Sequence, residues 1–427
     1  MQRARGQLTA GQIAELHEQI GRKLDTVGIE TQPEVAMKIL ALVQNPDAQI
    51  AEYARTIRAD QAISGRLLKL ANSAFYGQRQ PVTNLERACV LLGTTRLRTL
   101  SLGCFMARAA TGDPRAVASR QVWTASVFRA CLAQALAARL APEARVEAFI
   151  VGLMLDAGIP LLHRMVGEPA LKLFEQHTRP AALFLEETKS LAYNHVDVVT
   201  AVINRWHLPR TLALPIQWHH VPPSEKLAIN SDSLVHRLHR IAFYAGAIEF
   251  DRTSARPVVH RGQRPGPPGA GADPGERLAA LRLGLPAEVI ESIVQAACAE
   301  YASVCEVFGH VADRFDNLDE LGAIVHARLA DAMDEHLTLQ NATPAGDQAR
   351  CEFEVAGTKL EILSDPGHGA IAYLVGSAGE RIASFRFDPC VENAASVCFS
   401  LGLDIEEKAA KEPAVLRLDD HIRRLAA

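Results

Sequence analysis

Aromatic residues are scarce in this chain, making up 5% of its 427 positions. Sheet-built domains draw on aromatic and β-branched side chains, so a mainly β protein is not expected. An excess of positive charge is also missing. Lys and Arg number 45 against 49 Asp and Glu, for a formal net charge of -4, and the pI is about 6.4. A dedicated nucleic-acid binder usually carries a basic field. A nucleic-acid-associated regulator is therefore only a third reading. It rests on the arginines of residues 251–277 and on the basic run His236–Arg240.

No uninterrupted apolar run reaches the ~18–20 residues that span a bilayer, and the longest lies around Ala148–Leu155. Arg3 and Arg5 are followed by no apolar segment of a secretory leader. The expectation is a cytoplasmic protein without membrane contact. The eight cysteines form no C-x-x-C, and most sit in apolar helical patterns, so they read as small buried hydrophobes. No G-x-x-x-x-G-K-[ST] loop, G-x-S-x-G elbow or H-E-x-x-H pair occurs. The glycines at 266, 269 and 271 fall in a Pro/Gly/Arg-rich stretch and make no nucleotide cradle. GGDEF and EAL signatures are absent, and no cofactor is expected.

What is present is helix. Hydrophobic residues make up 48% of the chain, Ala and Leu dominate, and both favour helices. Residues 9–250 read as almost continuous short helices with brief loops, the pattern of an α-helical domain. Residues 251–277 lack large apolar side chains and read as a flexible loop. Residues 278–340 become helical again, with stripes at Val289, Ile293, Ala296 and Ala297, and at Leu321, Ile324, Val325 and Leu329. These stripes either pack on the main bundle or make a homodimer. Over residues 348–427 the period changes to two, with hairpin signals around Gly357 and Gly379. Four strands and two helices are predicted there. The fold class is thus mainly α: a multi-helix bundle, a helical extension, and a small C-terminal α+β module.

One block is specific. Gln32-Pro33-Glu34-Val35-Ala36 is followed by Asn45-Pro46-Asp47 and Ile57-Arg58-Ala59-Asp60-Gln61-Ala62. Then come Arg66-Leu67-Leu68-Lys69-Leu70-Ala71-Asn72-Ser73-Ala74-Phe75-Tyr76-Gly77, Leu85-Glu86-Arg87-Ala88 and Leu91-Leu92-Gly93. In order and spacing this segment resembles the HDOD family, whose members are relatives of the HD and HD-GYP metal phosphohydrolases. Read as residues alone, Asn72 and Ser73 can end a helix by bonding its backbone, and Phe75 and Tyr76 can plug back onto the bundle. That is a structural corner. The same loop, Asn72, Ser73, Phe75 and Tyr76, is the candidate partner-facing surface.

The resemblance implies where metal ligands of an HD enzyme would fall. The first His is expected in Trp123-Thr124-Ala125-Ser126, where position 125 is Ala. The His-Asp pair is expected in Gly152–Ile159, where Leu155 stands for the His and Asp156 remains. The distant Asp is expected near Leu238–Ala242, where the chain has His239. His195, in Tyr193-Asn194-His195-Val196-Asp197, and the pair His219-His220 match further family positions. No Gly-Tyr-Pro signature follows. Asp156, His195, His219 and His220 are therefore expected to be remnants of an HD site, with no metal bound and no catalysis. The His236–Arg240 run is expected to be a solvated basic face. The family is associated with bacterial signal transduction through protein partners, so a non-catalytic interaction module is the first expectation. A metal-dependent phosphohydrolase with a rearranged site is the second.

Overall fold

In this computed structural model the described residues are 4–8, 10–26, most of 45–58 and 64–72, 82–93, 117–206, 208–223, 233–250, 287–308, 318–341, 350–365, 369–376, 379–389, 392–403 and 412–425, with isolated positions between 38 and 97. Ser73, Phe75, Tyr76, the Gln32–Ala36 motif, most of Leu97–Met106, the 251–277 stretch, Cys104 and Cys390 lie outside them.

The main body is a helical bundle. Its elements are α1 (Ala10–Thr26), α2 (Ile50–Arg58), α3 (Val117–Leu140), α4 (Arg145–Met154), α5 (Gly158–Val166), α6 (Glu168–Gln176), α7 (Pro180–Ser190), α8 (His195–Arg205), α9 (Arg210–Gln217) and α10 (Leu234–Gly246). α3 is the central post. Trp123, Phe128, Leu132 and Leu136 are buried on several of its faces, as expected of a helix wrapped by others. α4 crosses it closely because residue 152 is glycine: a Cβ there would stand 2.7 Å from the Ala130 Cα.

The stretch Pro142–Val166 has an 18-residue window of mean hydropathy 1.6, long and apolar enough to cross a membrane by composition. It holds no uninterrupted apolar run of that length. Glu147 and Asp156 interrupt the apolar residues without lowering the average far enough. In the structure 89% of that window is buried inside the protein, as the inner layer against α3.

Two further helices, α11 (Ala287–Phe308) and α12 (Leu318–Asn341), close the bundle. Tyr301 of α11 meets the edge of the Phe128 ring at 5.5 Å, and Phe250 meets the same ring at 5.9 Å. Ile290, Ile293, Val294 and Ala297 face the shared core, as do Leu321, Val325 and Leu329. The stripe read from the sequence is rotated, however: Ala296 is exposed and Ile290 is buried. An ion pair ties the extension down. Arg328 donates to Glu249 at 2.5 Å, and Thr178 donates to the other Glu249 oxygen at 2.6 Å.

The C-terminal module is a four-stranded antiparallel meander, β1 (Arg350–Val355), β2 (Thr358–Asp365), β3 (Gly369–Val375) and β4 (Arg381–Phe387), in sequential order. The first hairpin turns on Ala356 and Gly357, both at positive φ, and Val355 pairs with Thr358 across it. A two-residue turn of this kind matches the strand twist. α13 (Ala394–Ser400) and α14 (Pro413–Leu425) cover one face, sealing a core around Leu360, Ile362, Phe385, Val397 and Leu418.

The module docks onto the bundle through Phe399. Its ring stacks on His236 at 5.0 Å, meets His239 at 5.1 Å and lies 6.3 Å from Trp218. The His236–Arg240 run is therefore not the solvated basic face expected from the sequence. His239 is 1% exposed and donates from Nε2 to the carbonyls of Trp218 and Val221 at 2.9 and 3.0 Å. Arg237 pairs with Glu143 at 2.5 Å. The basic spacing concealed a docking face because its cover comes from residues 160 positions downstream.

Candidate functional site

Backbone devices assemble the site. Asn194 caps α8 in a reciprocal box: its side chain accepts from the Asp197 N–H at 2.9 Å, and the Asp197 carboxylate accepts from the Asn194 N–H at 3.0 Å. His195 is thereby fixed on the first turn of α8. Asp197 is buried and also holds Arg5 at 2.9 Å and His17 at 3.0 Å. Burial alone would raise its pKa, but Arg5 and His17 hold the carboxyl far below the usual range. Asp156 sits in the turn between α4 and α5. Two residues on, Gly158 lets α8 approach, since a Cβ there would lie 1.9 Å from the His195 carbonyl oxygen. His219 and His220 occupy the turn that ends α9.

The structure brings Asp156, His195, His219 and His220 together. One ligand-type atom from each lies within 4.8 Å of the others. His195 Nδ1 donates to Glu187 at 2.6 Å, and its Nε2 faces His220 Nε2 at 3.0 Å. His219 donates from Nδ1 to the Ile216 carbonyl at 2.7 Å. Its Nε2 therefore carries a lone pair, is buried without a hydrogen-bond partner, and stands 3.8 Å from Asp156 Oδ1. His220 stacks on Phe184 at 4.5 Å.

Two members of the site were missed by the sequence reading. Arg129 of α3 is 2% exposed. It pairs with Asp156 Oδ2 and donates its other terminal nitrogen to the Ile248 carbonyl at 2.7 Å. It lies one helical turn beyond Ala125, so the two share a face of α3. An arginine thus reaches into the region where the resemblance placed the first His. Glu187 of α7 is fully buried and accepts from both the backbone and the ring of His195. Neither residue belongs to a local motif, and only their contacts across the fold single them out.

The electrostatics follow from these contacts. Burial would raise the Asp156 pKa, yet Arg129, aided by His219 and His195, lowers it well below the ordinary value. Burial would lower the His195 pKa, yet Glu187, with Asp156 and Asp197, raises it. Burial lowers His219. Burial, then the two neighbouring imidazoles, push His220 well below the ordinary value. The arrangement sets Arg129 against Asp156 and Glu187 against His195, with His219 and His220 completing the cluster.

Three imidazoles and one carboxylate are suitable donors in kind for a transition-metal ion, and the orphaned His219 Nε2 is the strongest point in favour. The set does not fit the HD enzyme pattern. Leu155 and Ala125 offer no donor atom, His239 spends its Nε2 proton on two carbonyls, and Arg129 holds one of the two Asp156 oxygens.

Asn72, the described member of the candidate interaction loop, has a structural task. It donates to the Leu68 and Val82 carbonyls, each at 2.8 Å, and accepts from the Val82 N–H at 2.6 Å. The amide thereby ties Leu68 and Val82 together.

Fold and site together define a helical domain that buries a cluster of one carboxylate and three imidazoles. Residues 29–222 match the HDOD domain, and that segment carries the chain's similarity to the HDOD family. An uncharacterized protein of Treponema pallidum (strain Nichols) is 27% identical over 219 residues, or 50% of this chain and 41% of that protein. The chain thus spans less than half the length of that relative. Among solved structures, a candidate signal transduction protein from Marinobacter aquaeolei VT8 superposes with a TM-score of 0.51 at 17% identity, over 71% of this chain and 66% of that one. An HDOD domain protein of unknown function from Geobacter sulfurreducens gives a TM-score of 0.46 at 20% identity, over 69% and 99%. At 17% identity the likeness to the Marinobacter protein is one of fold.

Proposed function

We propose that this protein is a non-catalytic regulatory module of bacterial signal transduction, acting through contacts with protein partners. The observation that carries the reading is the Arg129–Asp156 pair. Asp156 is the one ligand retained at the positions the HD pattern requires, and a guanidinium satisfies it. A buried carboxylate needs a cation, and here the protein supplies its own. Glu187 likewise accepts from the His195 ring, so a second buried carboxylate beside the cluster is already engaged within the protein. The family's association with signalling and the fold shared with the Marinobacter protein agree with this role.

The cluster of four ligand-type residues supports a second reading, a metal-dependent phosphohydrolase with a rearranged site. Asp156, His195, His219 and His220 would hold the ion, which would supply a Lewis acid and an activated water. Elemental mass spectrometry of untagged protein separates the two. The first reading expects essentially no metal, unchanged after incubation with Mn or Zn and dialysis. About one ion per chain, lost in Asp156→Ala and His219→Ala, would overturn it in favour of the second.

A further inference from the structure

The segment Ile248–Phe250 follows α10 closely, and its three residues are buried in succession. Each meets a different part of the protein. The Ile248 carbonyl accepts from Arg129 of α3 at 2.7 Å. The Glu249 carboxylate accepts from Thr178 at one oxygen and from Arg328 of α12 at the other. The Phe250 ring lies 5.7 Å from the Arg129 guanidinium and 5.9 Å from the Phe128 ring.

Arg129 is therefore shared. One terminal nitrogen pairs with Asp156 in the histidine cluster, and the other holds the Ile248 carbonyl. Its Nε is buried without an acceptor, so the two terminal nitrogens carry its hydrogen bonds. A planar guanidinium anchored at both prongs cannot turn toward one partner without leaving the other. Glu249 is the next residue after Ile248. Its buried charge needs a cation, and Arg328 supplies one from α12. α12 otherwise rests on α11 and α10 and reaches the C-terminal module at β4.

We propose that α12 is a latch on the bundle whose closure is set by the Arg129–Asp156 pair. Arg129, held by Asp156, fixes the Ile248 carbonyl. That places Glu249, and Glu249 holds α12 through Arg328. The coupling is reciprocal, as any energetic coupling between two sites must be. A force that draws α12 away strips Glu249 of Arg328, loosens Ile248 and disturbs Arg129 at the cluster. The latch requires no metal ion and no catalysis, so it goes beyond both readings of the histidine cluster.

The test is hydrogen–deuterium exchange of the full chain, read by mass spectrometry. Arg129→Lys keeps the charge but replaces the two-pronged donor with a single ammonium. It is expected to speed exchange in α12 about tenfold, the weight of one hydrogen bond to a charged group. Arg328→Gln opens the latch from the other end. It is expected to speed α12 by a similar factor and also to speed the peptide Gly152–Ile159, which carries Asp156. The double variant should exchange in α12 no faster than the faster single variant, because both substitutions break the same link. Asn72→Ala, a destabilised control outside the chain of contacts, should leave α12 as in the wild type. Unchanged α12 exchange in Arg129→Lys, a rise no larger than in Asn72→Ala, or effects that multiply in the double variant would each overturn the proposal. If Arg129→Lys does not fold, Asp156→Asn removes the charge that holds Arg129 and is expected to speed α12 in the same way. No rise there overturns the proposal equally.

Discussion

At the scale of single residues, Arg129 and Asp156 set the character of the histidine cluster. Removing one partner of a buried ion pair leaves the other charge uncompensated, at a cost of about 3–5 kcal/mol. Arg129→Met is expected to lose stability of that order in urea denaturation. Adding Asp156→Asn is expected to restore most of it, because the stranded charge is then gone. A double variant no more stable than the single one would show that Arg129 acts by packing and not by charge. Asn72 makes a separate case, since its amide makes three hydrogen bonds, one to Leu68 and two to Val82. Asn72→Ala is expected to cost about 1–3 kcal/mol, read as a lowered urea midpoint at constant slope. The sequence exposed the four converging residues because they lie at positions of a known motif. Arg129 stayed hidden because an arginine on a long Ala-rich helix reads as a solvent contact, and only the close crossing of α3 and α4 at Gly152 buries it. His239 was misread for the same reason: nothing nearby in the chain announces that Phe399 will cover it.

At the scale of elements, local pattern served well where a segment carries its own boundary signals. The hairpin at Ala356-Gly357, the turn at Gly379 and the helices of the C-terminal module all follow local rules. The Asp388–Glu392 pair is different, since its chemistry comes from burial. Glu392 accepts from the Asp388 N–H at 3.0 Å. Burial, with the neighbouring Asp388 carboxylate, raises its pKa to about 8. A folded-state pKa above the unfolded one means that the folded form holds the proton more tightly. Its contribution is fully present below about pH 4.5, the ordinary value for the group, and is lost as pH rises toward 8. Urea midpoints measured from pH 5 to 9 are expected to fall for the wild type. In Glu392→Gln, which keeps the amide-to-oxygen bond without the proton, the fall should be smaller. Parallel curves would place the titration elsewhere.

At the scale of the whole molecule, the parts are held together by few but specific contacts. α11 and α12 share the core of the bundle, whereas the C-terminal module has a second core that also takes in Val221 and Trp218 of the bundle; it meets the bundle at Phe399, His236, His239 and Trp218 and between β4 and α12. Those residues flank the turn that carries His219 and His220, so the module's seat and the histidine cluster share one piece of backbone, Trp218–Val221. Phe399→Ala removes the wedge. Truncating a buried Phe typically costs about 3–5 kcal/mol, here charged mainly to the docking because the ring lies at the interface. The expected result is two thermal transitions where the wild type shows one, with limited proteolysis cutting between bundle and module. Trp218 lies 6.3 Å from the Phe399 ring, so its fluorescence should change in the first transition. If Phe399→Ala instead lowers a single transition with no new cleavage, bundle and module unfold as one unit. The His219-His220 turn would then be held by the bundle alone.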